Sequence, residues 1–167
     1  ESSKEIRQTI NKLKKITNKE RIAILNKIPS TEQKQLTSKE LRYMIRNKMY
    51  VGNHTHNHPM LNNCSDDEIQ NELETSKYLF NQWKIEGFDI FAYPNGDRTE
   101  KTDEILLINH IKLAFLFDHS INSTSITSMG ISRIRTNADM PLSELKVKAS
   151  GLHSLISNLT LIRNGSI

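Results

Sequence analysis

Three histidines alternate with other residues in the segment Gly52-Asn53-His54-Thr55-His56-Asn57-His58-Pro59, and this spacing limits the backbone that can carry it. Alternate side chains point to one side of an extended chain, whereas a helix would scatter them. Pro59 also argues against a helix, because proline lacks the backbone donor that a helix needs. The segment therefore predicts the end of a strand, or a loop, in which His54, His56 and His58 lie on one side.

Neutral imidazoles that converge on one point are ligands for first-row metals, and zinc is the default expectation. The alternative is a polar surface loop that is merely rich in histidine. Three of the six histidines fall within five residues here, between a short apolar run and a proline. This concentration favours the metal-binding interpretation.

Composition limits the class of protein. The chain has 167 residues, of which 36% are apolar and 25% charged, which is typical of one globular domain. The net charge of +4 comes from basic residues interleaved with acidic ones, a pattern that favours solvated helix faces over a nucleic-acid surface. The single cysteine, Cys64, excludes an internal disulfide and a CxxC zinc site.

No run of residues predicts a membrane span, and no signal peptide is visible. Because the chain begins with Glu1 and not with Met, a secretion signal in upstream sequence stays open. The sequence does not indicate an oligomeric state.

Helical and strand-like segments alternate along the chain, which predicts an α/β fold with a parallel sheet. We expect an N-terminal helical segment over residues 1–36, an α/β domain over 37–163 and a tail over 164–167. Strands are expected at 50–51, 88–93, 113–117 and 131–135. Functional groups gather where parallel strands end, so the histidine loop and the turn after Tyr93 are expected at one edge.

Two motifs in this order resemble a known family. The first is His54-Thr55-His56-Asn57-His58-Pro59, and the second, one capped helix later, is Phe91-Ala92-Tyr93-Pro94-Asn95-Gly96. Together they resemble the polysaccharide deacetylases of the NodB-homology type. The resemblance implies an incomplete or deformed (β/α) barrel, with parallel strands inside and helices outside. It also implies metal-dependent hydrolysis of N- or O-acetyl groups on an acetylated polysaccharide or oligosaccharide, in the cell envelope or outside the cell.

The resemblance also assigns roles to residues of the two motifs. His54 and His58 become the histidine ligands of zinc or another divalent metal, and His56 becomes a neighbour of the site. The backbone amide of Asn95, which follows the motif proline Pro94, becomes the donor to the oxyanion.

Four further residues complete the expected site. Thr55 would orient the histidine loop, and Tyr93 would face the sugar. Arg133 would supply a positive charge, since Ala92 stands where the family often has arginine. Asp118 lies at a strand end, where a catalytic role and a structural role both stay open.

One family motif has no counterpart before His54: an Asp-Asp pair that serves as base and metal ligand. Asp66-Asp67 is explained as the start of a helix capped by Ser65. We therefore expect the pair upstream of Glu1, and little activity from this chain alone. Two alternatives stay open: a catalytically inactive metal- or glycan-binding module, and a non-enzymatic helical interaction domain with an incidental histidine loop.

Overall fold

A small parallel sheet organises the fold. The structure, a computed structural model, describes residues 3–29 and 33–152. In this part of the chain the sheet has two strands, β1 at Ile90–Ala92 and β2 at Leu113–Phe115. Parallel pairing needs a crossover between the strands, and helix α5 at Glu100–Ile108 lies in that connection.

Single bridged residues extend the sheet on both sides. Asn53 pairs in parallel with Phe91, and Ile131 pairs in parallel with Phe115. The residues that follow 53, 92, 115 and 131 therefore leave the sheet at the same carboxyl edge. This edge carries the histidine loop and the turn after Tyr93.

Capping residues set the starts of several helices. The helices besides α5 are α1 Ser3–Leu13, α2 Asn18–Leu25, α3 Ser38–Arg46, α4 Asp66–Trp83 and α6 Leu142–Ala149. Thr17, Thr37 and Ser65 open α2, α3 and α4 with complete capping boxes. Two short 3₁₀ turns occur at Leu61–Asn63 and Pro94–Gly96.

One face of the sheet forms the core. Phe91 and Ala114 point into it and are 1% and 0% exposed, whereas Ile90, Ala92 and Phe115 on the opposite face are only half-buried. Helices α4 and α5 pack against each other and supply half of the remaining core side chains. The core consists of Leu61, Ile69, Leu73, Phe91, Tyr93, Ile105, Leu106, Ile111, Ala114 and Met129.

The α/β architecture with parallel strands is confirmed, while closure into a barrel stays a prediction. The strands predicted at 50–51 and 131–135 are wrong. Near these positions only Asn53 and Ile131 form bridges to the sheet. The next residue, Ser132, bonds instead with the Asn122 side chain. Its backbone N–H donates to Asn122 Oδ1 at 2.7 Å, and Asn122 Nδ2 donates to the Ser132 carbonyl at 3.1 Å.

The described ranges contain no helix that is long and apolar enough to cross a membrane. The predicted domain end at 163 and the tail at 164–167 lie outside the described residues.

The first prediction concerns the buried Tyr93 hydroxyl, which lies 2.8 Å from Asp103 Oδ1 and 3.0 Å from the Met129 carbonyl. Tyr93→Phe should lower the free energy of unfolding by about 1–2 kcal/mol, because the partner oxygens lose a donor inside the fold. Chemical denaturation measures the change. Tyr78→Phe is the matched control, since Tyr78 is 63% exposed. Equal stability of the two variants would contradict a stabilising role for the Tyr93 hydrogen bonds to Asp103 and Met129.

Candidate functional site

A cleft of about 410 Å³ opens at the carboxyl edge of the sheet. It is lined by His54, His58, Ala92, Tyr93, Asn95, Phe117 and Arg133. Apart from Ala92, which ends β1, these residues come from four separate loops, each of which follows a strand or a bridged residue of the sheet. The sheet thus brings together residues that are up to 79 positions apart along the chain, from His54 to Arg133.

The two motif histidines face each other in this cleft. Their ring centroids are 4.7 Å apart and the rings are nearly perpendicular, at 81°. His54 Nδ1 lies 2.7 Å from the Ala92 carbonyl oxygen, which accepts a hydrogen bond from this nitrogen. That bond fixes the tautomer in which Nε2 carries the free lone pair, the arrangement found in metal-binding histidines.

The surroundings of His58 favour its neutral form, because they lower the pKa of its imidazole. Partial burial lowers its pKa below the usual value, and the His54 ring, Arg21 and Lys14 lower it further. A neutral imidazole is the form that ligates a metal. The immediate surroundings of His58 therefore favour the ligand form near neutral pH.

The backbone of the histidine loop is held in an unusual conformation. Thr55 and His58 both have left-handed φ angles, 65° and 51°. Such angles cost about 1–3 kcal/mol each in residues other than glycine and persist only where surrounding contacts enforce them. The Thr55 hydroxyl accepts the His58 amide at 3.0 Å and donates to the His54 carbonyl, so it links the two histidines through the backbone.

Glu72 of α4 fixes the middle of this loop. Its buried carboxylate accepts the amides of His56 and Asn57, both at 2.7 Å, and the Asn57 side-chain amide at 2.8 Å. Sequence reasoning did not assign this role. The available signal was an acidic residue on the inward face of α4, between Ile69 and Ser76, where an apolar residue is expected.

The N-terminal helices also reach the loop. Arg21 of α2 donates to the carbonyls of Asn57 and His58 at 3.0 and 3.1 Å. Lys14, which follows α1, donates from Nζ to Asn95 Oδ1 at 2.6 Å. Sequence reasoning missed both residues, because they lie in a segment assigned to separate helices and their contacts span 36 to 81 positions.

The turn after Tyr93 brings Asn95 to the cleft. Pro94 is buried, and Asn95 has a left-handed φ of 61°. Gly96 is also left-handed, and a Cβ there would lie 2.7 Å from the Phe117 amide nitrogen, which explains the glycine. Among the described residues, no backbone carbonyl accepts the Asn95 amide.

The other predicted site residues are placed differently. Tyr93 belongs to the core: its ring is 1% exposed, and burial together with Asp103 raises the pKa of its phenol. This corrects the expectation that its ring faces a sugar. Asp118 does not line the cleft, and its carboxylate accepts the Ser132 hydroxyl at 2.6 Å. The His56 side chain is exposed, and it too lies outside the cleft lining.

Arg133 lines the cleft beside the sheet. Its Nε donates to the Leu116 carbonyl at 2.7 Å, and its guanidinium lies 5.9 Å from the Phe115 ring centroid. The hydrogen bond uses only Nε, so the two terminal nitrogens of the guanidinium remain available as donors to other groups.

The donor set fits a divalent metal in part. His54 and His58 offer two neutral imidazoles, but the part of the chain that the structure describes contains no group of three or more metal-ligating side chains. Zinc sites in enzymes usually have three protein ligands. His54 and His58 could supply two ligands of such a site, and the described residues offer no third beside them.

Comparison with known proteins identifies relatives of this arrangement. The family model described as polysaccharide deacetylase matches residues 26–112, slightly more than half of the chain. No curated protein matches the sequence significantly.

Solved structures of similar fold are themselves deacetylases. The Streptococcus pyogenes deacetylase PplD, solved with acetate, is 29% identical, with a TM-score of 0.61 over 68% of this chain and 50% of that one. A de-N-acetylase from Aggregatibacter actinomycetemcomitans is 15% identical, with a TM-score of 0.56 over 72% and 58% of the two chains. The deacetylase domain of BpsB from Bordetella bronchiseptica is also 15% identical, with a TM-score of 0.54 over 65% and 52%. The chain spans about half the length of these structures.

The second prediction tests which histidines bind metal. His54→Ala and His58→Ala should each weaken zinc binding by about ten-fold or more, whereas His56→Ala should change it much less. Competition with a chromophoric chelator measures the affinities, and circular dichroism checks that each variant is folded. Equal losses in all three variants would instead support a three-histidine site.

The third prediction tests the support that Glu72 gives to the loop. Glu72→Gln replaces one acceptor oxygen by a donor that faces backbone N–H groups. We expect the free energy of unfolding to fall by about 1–3 kcal/mol and zinc affinity to fall by about ten-fold. Glu74→Gln on the exposed side of α4 is the matched control and should change neither quantity. Unchanged zinc affinity in Glu72→Gln would refute this role.

Proposed function

The chain belongs to the polysaccharide deacetylase family. We propose that it carries the two histidine ligands, but not the carboxylate, of the active site of a metal-dependent carbohydrate deacetylase. The reaction is hydrolysis of an N- or O-acetyl group on a polysaccharide or oligosaccharide. The single observation that supports this most is the pairing of His54 and His58 in a cleft that also contains the Asn95 turn.

The histidines serve as a prepared ligand pair. His54 is oriented by the Ala92 carbonyl, and the surroundings of His58 lower its pKa and so favour the neutral form. When a divalent ion such as zinc is bound there, it supplies Lewis acidity for the acetyl carbonyl. The protein's part is to hold both rings in place before the substrate arrives.

The Asn95 turn supplies the second element of the chemistry. Hydrolysis of an acetyl group places negative charge on the carbonyl oxygen, and a fixed N–H donor stabilises that charge. The left-handed Asn95 sits in the same cleft as the histidines, and no described backbone carbonyl occupies its amide. Arg133, on the same cleft, adds a positive charge that favours the developing oxyanion.

The base is the element that the described residues do not supply. Two carboxylates contact residues that line the cleft, and both are engaged: Asp97 accepts the Asn95 side-chain amide, and Asp103 accepts the Tyr93 hydroxyl and pairs with Arg98. We therefore place the base, and the third metal ligand, on a carboxylate outside the described residues. Completion of the two-stranded sheet into a (β/α) barrel would bring further strand ends to this edge.

The alternative function is a metal- or glycan-binding module without catalysis. It is favoured by the same observation, because no described carboxylate stands beside the imidazole pair. A longer natural chain that binds zinc and glycan but does not release acetate would support this alternative. We place either activity in the cell envelope or outside the cell, where such polysaccharides occur.

The fourth prediction is that residues 1–167 alone are a poor deacetylase. Loss of a catalytic base typically slows a reaction by about 10²–10⁴-fold. Acetate release from acetylated chitooligosaccharides or peptidoglycan fragments, measured with zinc present, should therefore be far below that of a longer chain that supplies the carboxylate.

Asp118→Asn is the control for an internal base and should leave this residual rate unchanged. Ordinary enzyme rates from residues 1–167, together with their loss in Asp118→Asn, would make Asp118 the base and overturn the account.

A further inference from the structure

We propose that Arg21 of α2 is a positioning residue for the histidine ligands, and that it acts together with Glu72 as a clamp on the backbone of the histidine loop. The inference rests on the proposed function, because it concerns the imidazoles that would bind the metal. It goes further by giving the N-terminal helices a task in the site: through Arg21 they raise the affinity of the histidine pair for a divalent ion.

The two side chains of the clamp bind opposite polar groups of the same short stretch. The Glu72 carboxylate accepts the backbone amides of His56 and Asn57, both at 2.7 Å. Arg21 donates from Nη2 to the backbone carbonyls of Asn57 and His58, at 3.0 and 3.1 Å. Asn57 thus gives its N–H to an anion and its C=O to a cation. Hydrogen bonds of this charge-assisted kind are stronger than those between neutral groups.

The conformation that the clamp holds is a strained one. Thr55 and His58 are left-handed, with φ angles of 65° and 51°, and such conformations persist only where surrounding contacts enforce them. Glu72 bonds the amides of the two residues before His58, whereas Arg21 reaches the carbonyl of His58 itself. Arg21 therefore holds the end of the loop at which the second imidazole lies.

Arg21 is itself held in place by a chain of hydrogen bonds. Its Nη1 donates to Asn18 Oδ1 at 3.1 Å, and Asn18 Nδ2 donates to Glu68 Oε1 at 3.1 Å. Asn18 is 6% exposed, and Glu68 belongs to the first turn of α4, the helix that also carries Glu72. Both sides of the clamp are therefore anchored to the same helix.

The charge of Arg21 and its hydrogen bonds have opposite effects on a metal. A nearby cation repels a divalent ion. The bonds to the loop instead fix the ring of His58 before the metal arrives, which lowers the cost of ordering it. We expect the bonds to dominate, because three carbonyl oxygens contact the guanidinium and offset its charge. The sign of the change in zinc affinity decides between the two effects.

Amide hydrogen exchange in the metal-free protein tests the clamp without a metal. Arg21→Gln should speed exchange of the His56 and Asn57 amides by about ten-fold, because the loop opens locally. The buried amide of Ala114 in the sheet should exchange as before. Arg21→Lys keeps the charge on a single nitrogen and should have an intermediate effect. Lys19→Gln is the matched control, since Lys19 is an exposed cation of the same helix and should change nothing.

Zinc affinity, measured by competition with a chelator, tests whether the clamp serves the ligand pair. Arg21→Gln should weaken zinc binding by about five-fold or more, Arg21→Lys should weaken it less, and Lys19→Gln should leave it unchanged. Residues that hold one loop act on the same conformation, so their effects should not add. The double variant of Arg21→Gln with Glu72→Gln should therefore bind zinc about as weakly as Glu72→Gln alone.

Three results would overturn the inference. Unchanged or tighter zinc binding in Arg21→Gln would remove it and leave the metal site of the proposed function intact. Losses that multiply in the double variant would make Arg21 and Glu72 independent supports. Equally faster exchange at Ala114 would make Arg21 a general support of the fold. Absence of zinc binding in the unsubstituted chain would contradict the proposed function together with the role of Arg21 in it, while the exchange data would still test the clamp itself.

Discussion

The Glu72 carboxylate is the contact on which the candidate site depends. It gathers two consecutive amides and one side-chain amide of the histidine loop, at a point where the backbone on either side is left-handed. Burying a carboxylate is costly unless hydrogen bonds compensate it, and here three donors do so. The helix α4 thereby holds the loop against the sheet and places His58 opposite His54.

Several contacts from distant segments then converge on the same loop. Arg21 donates to the backbone carbonyls of Asn57 and His58 in this loop. Lys14 donates to the Asn95 side chain of the neighbouring turn. The N-terminal helices are therefore part of the site's surroundings, although their own apolar side chains remain largely exposed. Pre-organisation of this kind lowers the entropic cost of binding a metal or a substrate.

The sequence predicted the local features of the fold well. The helix start capped by Ser65 and the α/β alternation follow from short-range patterns, and the structure shows both. The motif pair also predicted the family that the comparisons identify. The roles of the individual site residues stay predictions.

Other features depend on contacts that no local pattern reveals. Tyr93 looked like a substrate-facing residue, but Asp103 and Met129 hold its hydroxyl inside the core. Ile131 forms only one bridge, because Asn122 takes the backbone of the next residue. Glu72, Arg21 and Lys14 act across gaps of 15 to 81 positions, so their roles require the three-dimensional arrangement.

The most direct test of the central claim is a crystal structure of the chain soaked with zinc, with the metal located by anomalous scattering. The account predicts one zinc ion bound by nitrogens of His54 and His58 at about 2.0–2.1 Å, with His54 Nδ1 still bonded to the Ala92 carbonyl. Zinc held by His56 in place of either histidine, or by surface residues away from the cleft, would contradict it.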